Sequence, residues 1–183
     1  AYFGITGSGP GILGEAVAAA LNVNAMLWRT SPAATELEER ALDWLRQMLG
    51  LPNIFTGHIQ DTASSSTLVA IAAAREATRL QIRDRGMSGR DLPSLRLYCS
   101  EEAHSSVEKA AIMVGVGREG VGRISTDAEY RMDPGALRSA IRRDREQGIR
   151  PFCVVATLGT TSTTSVDPLA EIAAICREEE LWL

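Results

Sequence analysis

Short apolar segments rich in β-branched residues alternate with helix-forming segments, and this alternation is the feature that most restricts the fold. Strands are predicted at residues 57–60, 95–99, 122–125 and 151–156, and residues 181–183 resemble the start of another strand. Helices are predicted at residues 12–21, 33–49, 63–85, 105–114, 133–147 and 167–179. Strands that alternate with helices are typical of α/β proteins, so we predict a mostly parallel sheet with flanking helices.

Several helix starts carry recognisable capping signals. Asp133 and Asp167 are each followed by proline, which is the pattern of an acidic N-cap before a proline in the first turn. Thr62 or Ser64 is expected to cap the helix that begins near residue 63. Because the last apolar segment stops after three residues, we expect the chain to be truncated.

Composition excludes several classes of function. The net charge is −4 and the basic residues are dispersed, so nucleic-acid binding is not expected. No apolar run is long enough to cross a bilayer, and no membrane partner is expected. The three cysteines are widely spaced and there are only two histidines, so no metal site is predicted. Reduced, buried thiols in a cytoplasmic protein are the expected state of the cysteines.

Three polar segments could carry chemistry. The first, residues 60–67, joins a predicted strand to a helix and is rich in small hydroxyl residues. Such a helix start offers backbone N–H groups and a positive dipole end to a phosphate. Taken alone, this segment is better explained by ordinary N-capping, because serines cap many helices that bind nothing.

The second and third segments follow predicted strands. His104 follows the strand at 95–99, where an imidazole could stack on an aromatic cofactor, transfer protons or cap the next helix. Residues 155–164 combine Gly159 with several threonine hydroxyls, or form a polar loop without a ligand. Ligands of open parallel sheets bind at the carboxyl ends of the strands, so the three segments together predict a site.

In this order and spacing, the segments resemble the group II pyridoxal-phosphate (PLP) dependent amino-acid decarboxylases, which include aromatic-L-amino-acid, histidine, glutamate and diaminobutyrate decarboxylases. The resemblance covers nearly the whole chain. Its most specific strings are Ser-Pro-Ala-Ala-Thr-Glu-Leu-Glu at 31–38 and Ala-Thr-Leu-Gly-Thr-Thr at 156–161. Supporting strings are Ala-Tyr-Phe at 1–3, the segment 60–67 and His-Ser-Ser-Val-Glu-Lys-Ala at 104–110.

The resemblance implies roles for individual residues. Ala63 and Ser64 are similar to the pair that binds the cofactor phosphate. His104 is similar to the histidine that stacks on the PLP ring. Thr161 is similar to a threonine near the ring and the reactive lysine, with Thr160 as the alternative.

The resemblance also implies the substrate pocket and the domain organisation. Tyr2 and Phe3 are similar to substrate-binding residues. Residues 1–50 are expected to be an N-terminal helical segment with dimer and substrate-pocket loops. Residues 51–183 are expected to be the first part of a large PLP-binding domain of the aspartate aminotransferase (fold type I) class. A homodimer, PLP as cofactor and a small amino-acid substrate are implied.

Lys109 is the only lysine of the chain. It lies where relatives often carry arginine, so we do not assign it the Schiff base. The resemblance places the reactive lysine and the aspartate that pairs with the ring nitrogen in later motifs, and these 183 residues alone are expected to be inactive.

The expected activity is decarboxylation of an L-amino acid to an amine and CO₂. The alternatives are another fold type I PLP enzyme, such as an aldehyde synthase or a carbon–carbon lyase, and a non-catalytic α/β binding module.

Overall fold

The computed structural model of the chain describes residues 7–183. They form two compact units, of which the first ends at Ile59 and the second is Gln60–Leu183. The division follows Ile59, whereas the sequence predicts a boundary after residue 50.

The first unit contains two helices, α1 (Gly9–Leu21) and α2 (Pro32–Met48). Ser8 caps α1, because its Oγ accepts a hydrogen bond from the Gly11 N–H at 3.2 Å. Pro32 opens α2, where a missing N–H costs no helical hydrogen bond. Neither helix has a buried residue, and the unit leaves many large apolar side chains exposed.

The second unit contains the sheet. Its elements in chain order are α3 (Ala63–Ala77), α4 (Ile82–Arg85), β1 (Leu95–Ser100), α5 (Ser106–Met113), β2 (Val121–Ile124), α6 (Pro134–Glu146), β3 (Arg150–Val155) and α7 (Leu169–Glu178). The three strands are parallel and lie in the order β2-β1-β3. The predicted α/β fold with a parallel sheet and flanking helices is confirmed.

Side chains of the central strand β1 alternate between two hydrophobic cores. Leu97 and Cys99 pack with α3 and α5, whereas Tyr98 packs with α6 and α7. This follows from the two-residue period of a strand, which sends neighbouring side chains to opposite faces. The sheet is therefore the middle of three layers, with α3, α4 and α5 on one face and α6 and α7 on the other.

The outer edge of β3 pairs with the end of the chain. The Trp182 N–H donates to the Phe152 carbonyl oxygen at 3.0 Å, and the Val154 N–H donates to the Trp182 carbonyl oxygen at 2.8 Å. The bridge is parallel, as the strand start predicted at residues 181–183 requires.

Two predicted elements differ from the structure. Residues 57–60 form no strand, because the Ile59 N–H donates to Glu38 Oε1 at 2.7 Å instead of to a neighbouring strand. The helix predicted at 63–85 is divided into α3 and α4, because Arg79 and Gln81 adopt left-handed conformations with φ of 60° and 55°. The Arg90 side chain donates to the Leu80 carbonyl oxygen left unpaired by this break.

The two predicted aspartate caps have different outcomes. Asp133 caps α6, accepting from the N–H groups of Gly135 at 2.7 Å and Ala136 at 3.1 Å. Asp167 does not cap α7, so that prediction is wrong: Pro168 occupies the N-cap position and no side chain caps the helix. The Asp167 side chain is buried and faces other segments of the chain.

Candidate functional site

The amino end of α3 offers two unpaired backbone donors. Thr62 is the N-cap, in extended conformation, and its Oγ1 accepts from the Ser65 N–H at 3.2 Å. The Ser66 N–H donates to the Thr62 carbonyl oxygen at 3.1 Å. The N–H groups of Ala63 and Ser64 have no acceptor among the described residues, and both residues are exposed. The two residues predicted to bind phosphate therefore present the donors that an anion needs.

His104 lies four residues beyond β1 and just before α5. The Ser106 N–H donates to its Nδ1 at 3.2 Å, and the Ser106 Oγ lies 3.0 Å from the same nitrogen. The imidazole is exposed, whereas Ser106 is buried. The ring is thus fixed at one edge and open on the rest of its surface.

The segment 157–167 is a closed loop after β3. The Asp167 carboxylate accepts from the Thr157 N–H through Oδ2 and from the Met132 N–H through Oδ1, both at 2.8 Å. The N–H groups of Gly159 and Thr160 both donate to the Ser165 carbonyl oxygen at 3.0 Å. Asp167 therefore ties the start of the loop to its end and to the segment before α6.

The two candidate threonines of this loop have different environments. Thr160 is buried, and its hydroxyl bonds to Thr163 Oγ1 and accepts from the Ser165 N–H at 3.1 Å. Thr161 is exposed, and its hydroxyl makes no hydrogen bond to any described residue. Since Thr160 is used to shape the loop, Thr161 is the threonine available to a ligand.

These segments meet at the carboxyl edge of the sheet. His104 and the 157–167 loop follow the adjacent parallel strands β1 and β3, so both lie at that edge. A groove of about 400 Å³ joins α3 to the same edge. Its lining includes Ser66 and Thr67 from the first turn of α3, Val155 from β3 and Leu158 from the loop.

Charged and titratable groups near this edge are few. Burial raises the pKa of the Cys99 thiol in β1 to about 11, so it stays protonated and takes no part in nucleophilic chemistry. A hydrogen bond from Arg123 holds the pKa of Glu108 in α5 below its usual range. Glu101, just after β1, accepts from the N–H and hydroxyl of Thr126 at 3.1 and 2.9 Å.

The remaining predicted residues lie elsewhere. Tyr2 and Phe3 fall outside the described residues. Lys109 is exposed within α5, one turn along from its start. Within residues 7–183, no group of histidine, cysteine and acidic side chains could hold a metal ion. None of the helices described is both long and apolar enough to span a bilayer.

Sequence reasoning did not identify Ser106 or the anchoring role of Asp167. The dipeptide His-Ser at 104–105 and the following serine were visible, but a side chain that bonds back to a residue two positions earlier has no periodic signal. Ser100, at the end of β1, has a fully buried hydroxyl without a partner in the described part of the chain.

The arrangement fits PLP in two respects. The exposed N–H pair of α3 suits the phosphate, and an imidazole held at one edge suits stacking on an aromatic ring. The apolar groove between α3 and β3 is lined by no charged side chain and offers a surface for the pyridine ring.

The chain is similar to several known proteins. The sequence profile described as the pyridoxal-dependent decarboxylase conserved domain matches residues 1–183. The aromatic-L-amino-acid decarboxylase of Sus scrofa is 43% identical over 194 residues, which cover 100% of this chain and 39% of the relative. The 4-hydroxyphenylacetaldehyde synthase of Rhodiola rosea is 37% identical, with 100% of this chain and 38% of the relative covered.

Solved structures show the same relationship. Mouse CSAD in its apo form superposes with a TM-score of 0.91 at 31% identity, covering 99% of this chain and 37% of that one. Oryza sativa TDC, crystallised with PLP and tryptamine, has a TM-score of 0.88 at 37% identity, covering 99% of this chain and 38% of that one. The chain therefore spans 39% and 38% of the length of the two curated relatives, from Sus scrofa and Rhodiola rosea.

Proposed function

We propose, since the chain belongs to the pyridoxal-dependent decarboxylase family, that the protein is a PLP-dependent carboxy-lyase that converts an amino acid into an amine and CO₂. The observation that carries the proposal is the pair of unpaired N–H groups at Ala63 and Ser64, beside an apolar groove and at the sheet edge that also carries His104. A phosphate-bearing aromatic cofactor matches each of these features.

Bound PLP would supply an electron-accepting ring that takes up the electron pair left when CO₂ departs. The Ala63 and Ser64 N–H groups would hold the phosphate and so fix the rotation of the ring. His104 would hold the ring plane from one face. Thr161 would supply a hydroxyl near the ring, positioned by the loop that Asp167 closes.

Ala63 allows a direct test of the phosphate site. It is the first residue of α3, where proline is tolerated because this N–H makes no helical hydrogen bond. The preceding Thr62 is extended, with φ of −147° and ψ of 160°, as a residue before proline must be. Ala63→Pro therefore deletes one phosphate donor without disturbing the helix.

Binding of PLP is measured by calorimetry, together with the unfolding midpoint. Hydrogen bonds to charged groups contribute about 1.5–3 kcal/mol, so Ala63→Pro should weaken PLP binding roughly 10- to 100-fold. Ala63→Gly, which retains the N–H, is the matched control and should bind PLP as the unmodified protein does. Equal affinity of the proline variant at unchanged stability would contradict the phosphate site.

The reaction itself is tested with a panel of L-amino acids and analysis of the product. Decarboxylation yields CO₂ and an amine, whereas an aldehyde in place of the amine would favour the alternative activity named for the Rhodiola rosea relative. Absence of CO₂ release for every amino acid, from a full-length protein that carries the reactive lysine and binds PLP, would contradict the carboxy-lyase proposal. The substrate is proposed only as an amino acid.

A homodimer is proposed from the exposed apolar surface of the first unit. Met26, Ile54 and Leu13 expose 76%, 81% and 69% of their surface, and large exposed apolar surfaces mark protein–protein interaction sites. A cytoplasmic location is proposed from the three reduced, buried cysteines. Sedimentation equilibrium tests the homodimer, and a monomer at all concentrations would contradict it. Fractionation of cells tests the cytoplasmic location, and recovery of the protein in another compartment would contradict it.

A further inference from the structure

The structure fixes which nitrogen of His104 can carry a proton. A backbone N–H is always a donor, so the Nδ1 atom that receives the Ser106 N–H at 3.2 Å must present its lone pair. The neutral ring then carries its proton on Nε2. This assignment requires no hydrogen position for the ring, because the Ser106 backbone N–H can only donate a hydrogen bond.

The Ser106 N–H has a structural reason to seek this acceptor. Ser106 is the first residue of α5, and its N–H has no acceptor within the helix. Ser105, at the N-cap position, makes no side-chain hydrogen bond. The Val107 N–H donates to the His104 carbonyl oxygen, and the Lys109 N–H donates to that of Ser105. The His104 imidazole therefore acts as the capping side chain of α5.

The Ser106 hydroxyl strengthens this arrangement. Its Oγ lies 3.0 Å from Nδ1, and it can only donate there, because Nδ1 is already an acceptor. Ser106 is 7% exposed, so its hydroxyl has little access to water. We propose that the start of α5 locks His104 in the Nε2–H tautomer and that Ser106 is the positioning residue of this lock.

The lock restricts what His104 can do. Nδ1 is occupied by the donors of Ser106, and Nε2 points its own proton away from them. His104 therefore offers a ring face and one N–H, and it is not the base of the reaction. This consequence rests on the proposed function, whereas the tautomer itself does not.

The chain contains only two histidines, which makes the tautomer directly measurable. The second histidine, His58, places Nδ1 2.9 Å from Glu38 Oε1, so its Nδ1 carries a proton. Two-bond ¹⁵N–¹H correlation spectra of ¹⁵N-histidine-labelled protein, at mildly alkaline pH, identify the protonated nitrogen of each ring. His58→Gln assigns the signals.

We expect the His104 spectrum to show a lone-pair-bearing Nδ1 and a protonated Nε2. Ser106→Ala should reduce the separation between the two ¹⁵N resonances, as the tautomers begin to mix. The exposed Ser105→Ala is the matched control and should leave the separation unchanged, and Ser106→Thr should restore it. A protonated Nδ1 at His104 would overturn the proposal, and identical spectra for Ser106→Ala and Ser105→Ala would overturn the role of Ser106.

Addition of PLP separates this inference from the proposed function. Ring stacking should shift the His104 resonances and leave those of His58 in place. If PLP shifts neither histidine, the cofactor site at His104 is wrong, while the tautomer measured without PLP still stands or fails independently.

Discussion

Asp167 is a buried carboxylate with two donors from distant parts of the chain. Its oxygens accept from Thr157 and Met132, both at 2.8 Å, and the side chain is 1% exposed. In Asp167→Asn the amide group would face one of these N–H groups with an N–H of its own. A buried donor left without its acceptor costs about 1–3 kcal/mol, so we expect that loss in the free energy of unfolding, measured in urea.

Asp91 provides the control for this prediction, because it is exposed and its side chain makes no hydrogen bond among residues 7–183. Asp91→Asn should leave the free energy of unfolding nearly unchanged. Equal stability of the two variants would show that the carboxylate does not anchor the loop.

The different outcomes at Asp133 and Asp167 show how far local sequence determines a side chain's role. Both are followed by proline, and both patterns predict a helix cap. Asp133 bonds to N–H groups two and three residues ahead, which a local pattern can reveal. Asp167 bonds across 10 and 35 residues, and only the assembled sheet brings those donors to it.

The three cysteine thiols should be unreactive in the folded protein. Burial raises the pKa of Cys99 and Cys176 to about 11 and that of Cys153 to about 12. At about pH 8 a thiol of pKa 11 is roughly one part in a thousand thiolate, which is the reactive form. We expect an aromatic disulfide reagent to label none of them within minutes in native buffer and all three in denaturant. Rapid native labelling would show that a thiol is accessible.

At the scale of elements, the start of α3 links stability to the proposed phosphate site. Thr62 Oγ1 accepts from the Ser65 N–H, and removing such a cap costs about 1 kcal/mol. Thr62→Ala should lower the free energy of unfolding by that amount. Ser66→Ala, in the same turn and without a side-chain hydrogen bond among the described residues, should have little effect. Thermal unfolding of each variant measures these two stabilities, and equal unfolding midpoints would show that Thr62 does not cap α3.

The start of α3 was predictable and its end was not. Small hydroxyl residues before an apolar run are a local signal, and α3 begins at the predicted Ala63. Residues 78–85 retain helix-forming character, yet the chain turns there, and Arg150 donates to the Thr78 carbonyl oxygen at 2.9 Å from 72 residues away. Because the donor that pairs with the end of α3 is distant in sequence, the local residue pattern does not predict this helix break.

At the scale of the whole chain, the layer structure was predictable because each part of it has a local period. Alternation of strands with helices implied the parallel sheet, and the common carboxyl edge implied that His104 and the 157–167 loop share a site. The strand order β2-β1-β3 depends on tertiary placement. The bond between His104 and Ser106 is local, but it has no periodic signal in the sequence. The family resemblance supplied the roles that periodicity could not.

Tyr98 gives the sheet a predictable response to alkaline pH. It is fully buried in β1, and its hydroxyl donates to Asp144 Oδ2 in α6 at 2.8 Å. Burial, followed by the hydrogen bond to Asp144, raises the pKa of Tyr98 well above its usual value. Because the folded pKa is raised, the stability that Tyr98 contributes is complete below the unfolded pKa of about 10 and is lost as pH rises beyond it.

Tyr98→Phe isolates this contribution from that of the cysteines, which titrate in both proteins. At neutral pH the variant should be less stable by about 0.5–1.5 kcal/mol, the net contribution of one hydrogen bond. Above about pH 10, the unfolded unmodified chain ionises Tyr98 while the folded chain does not, which costs up to about 1.4 kcal/mol per pH unit. The stability difference should therefore narrow between about pH 10 and 11 in urea titrations. A difference that stays constant over that interval would mean that Tyr98 ionises as readily in the folded sheet as in the unfolded chain.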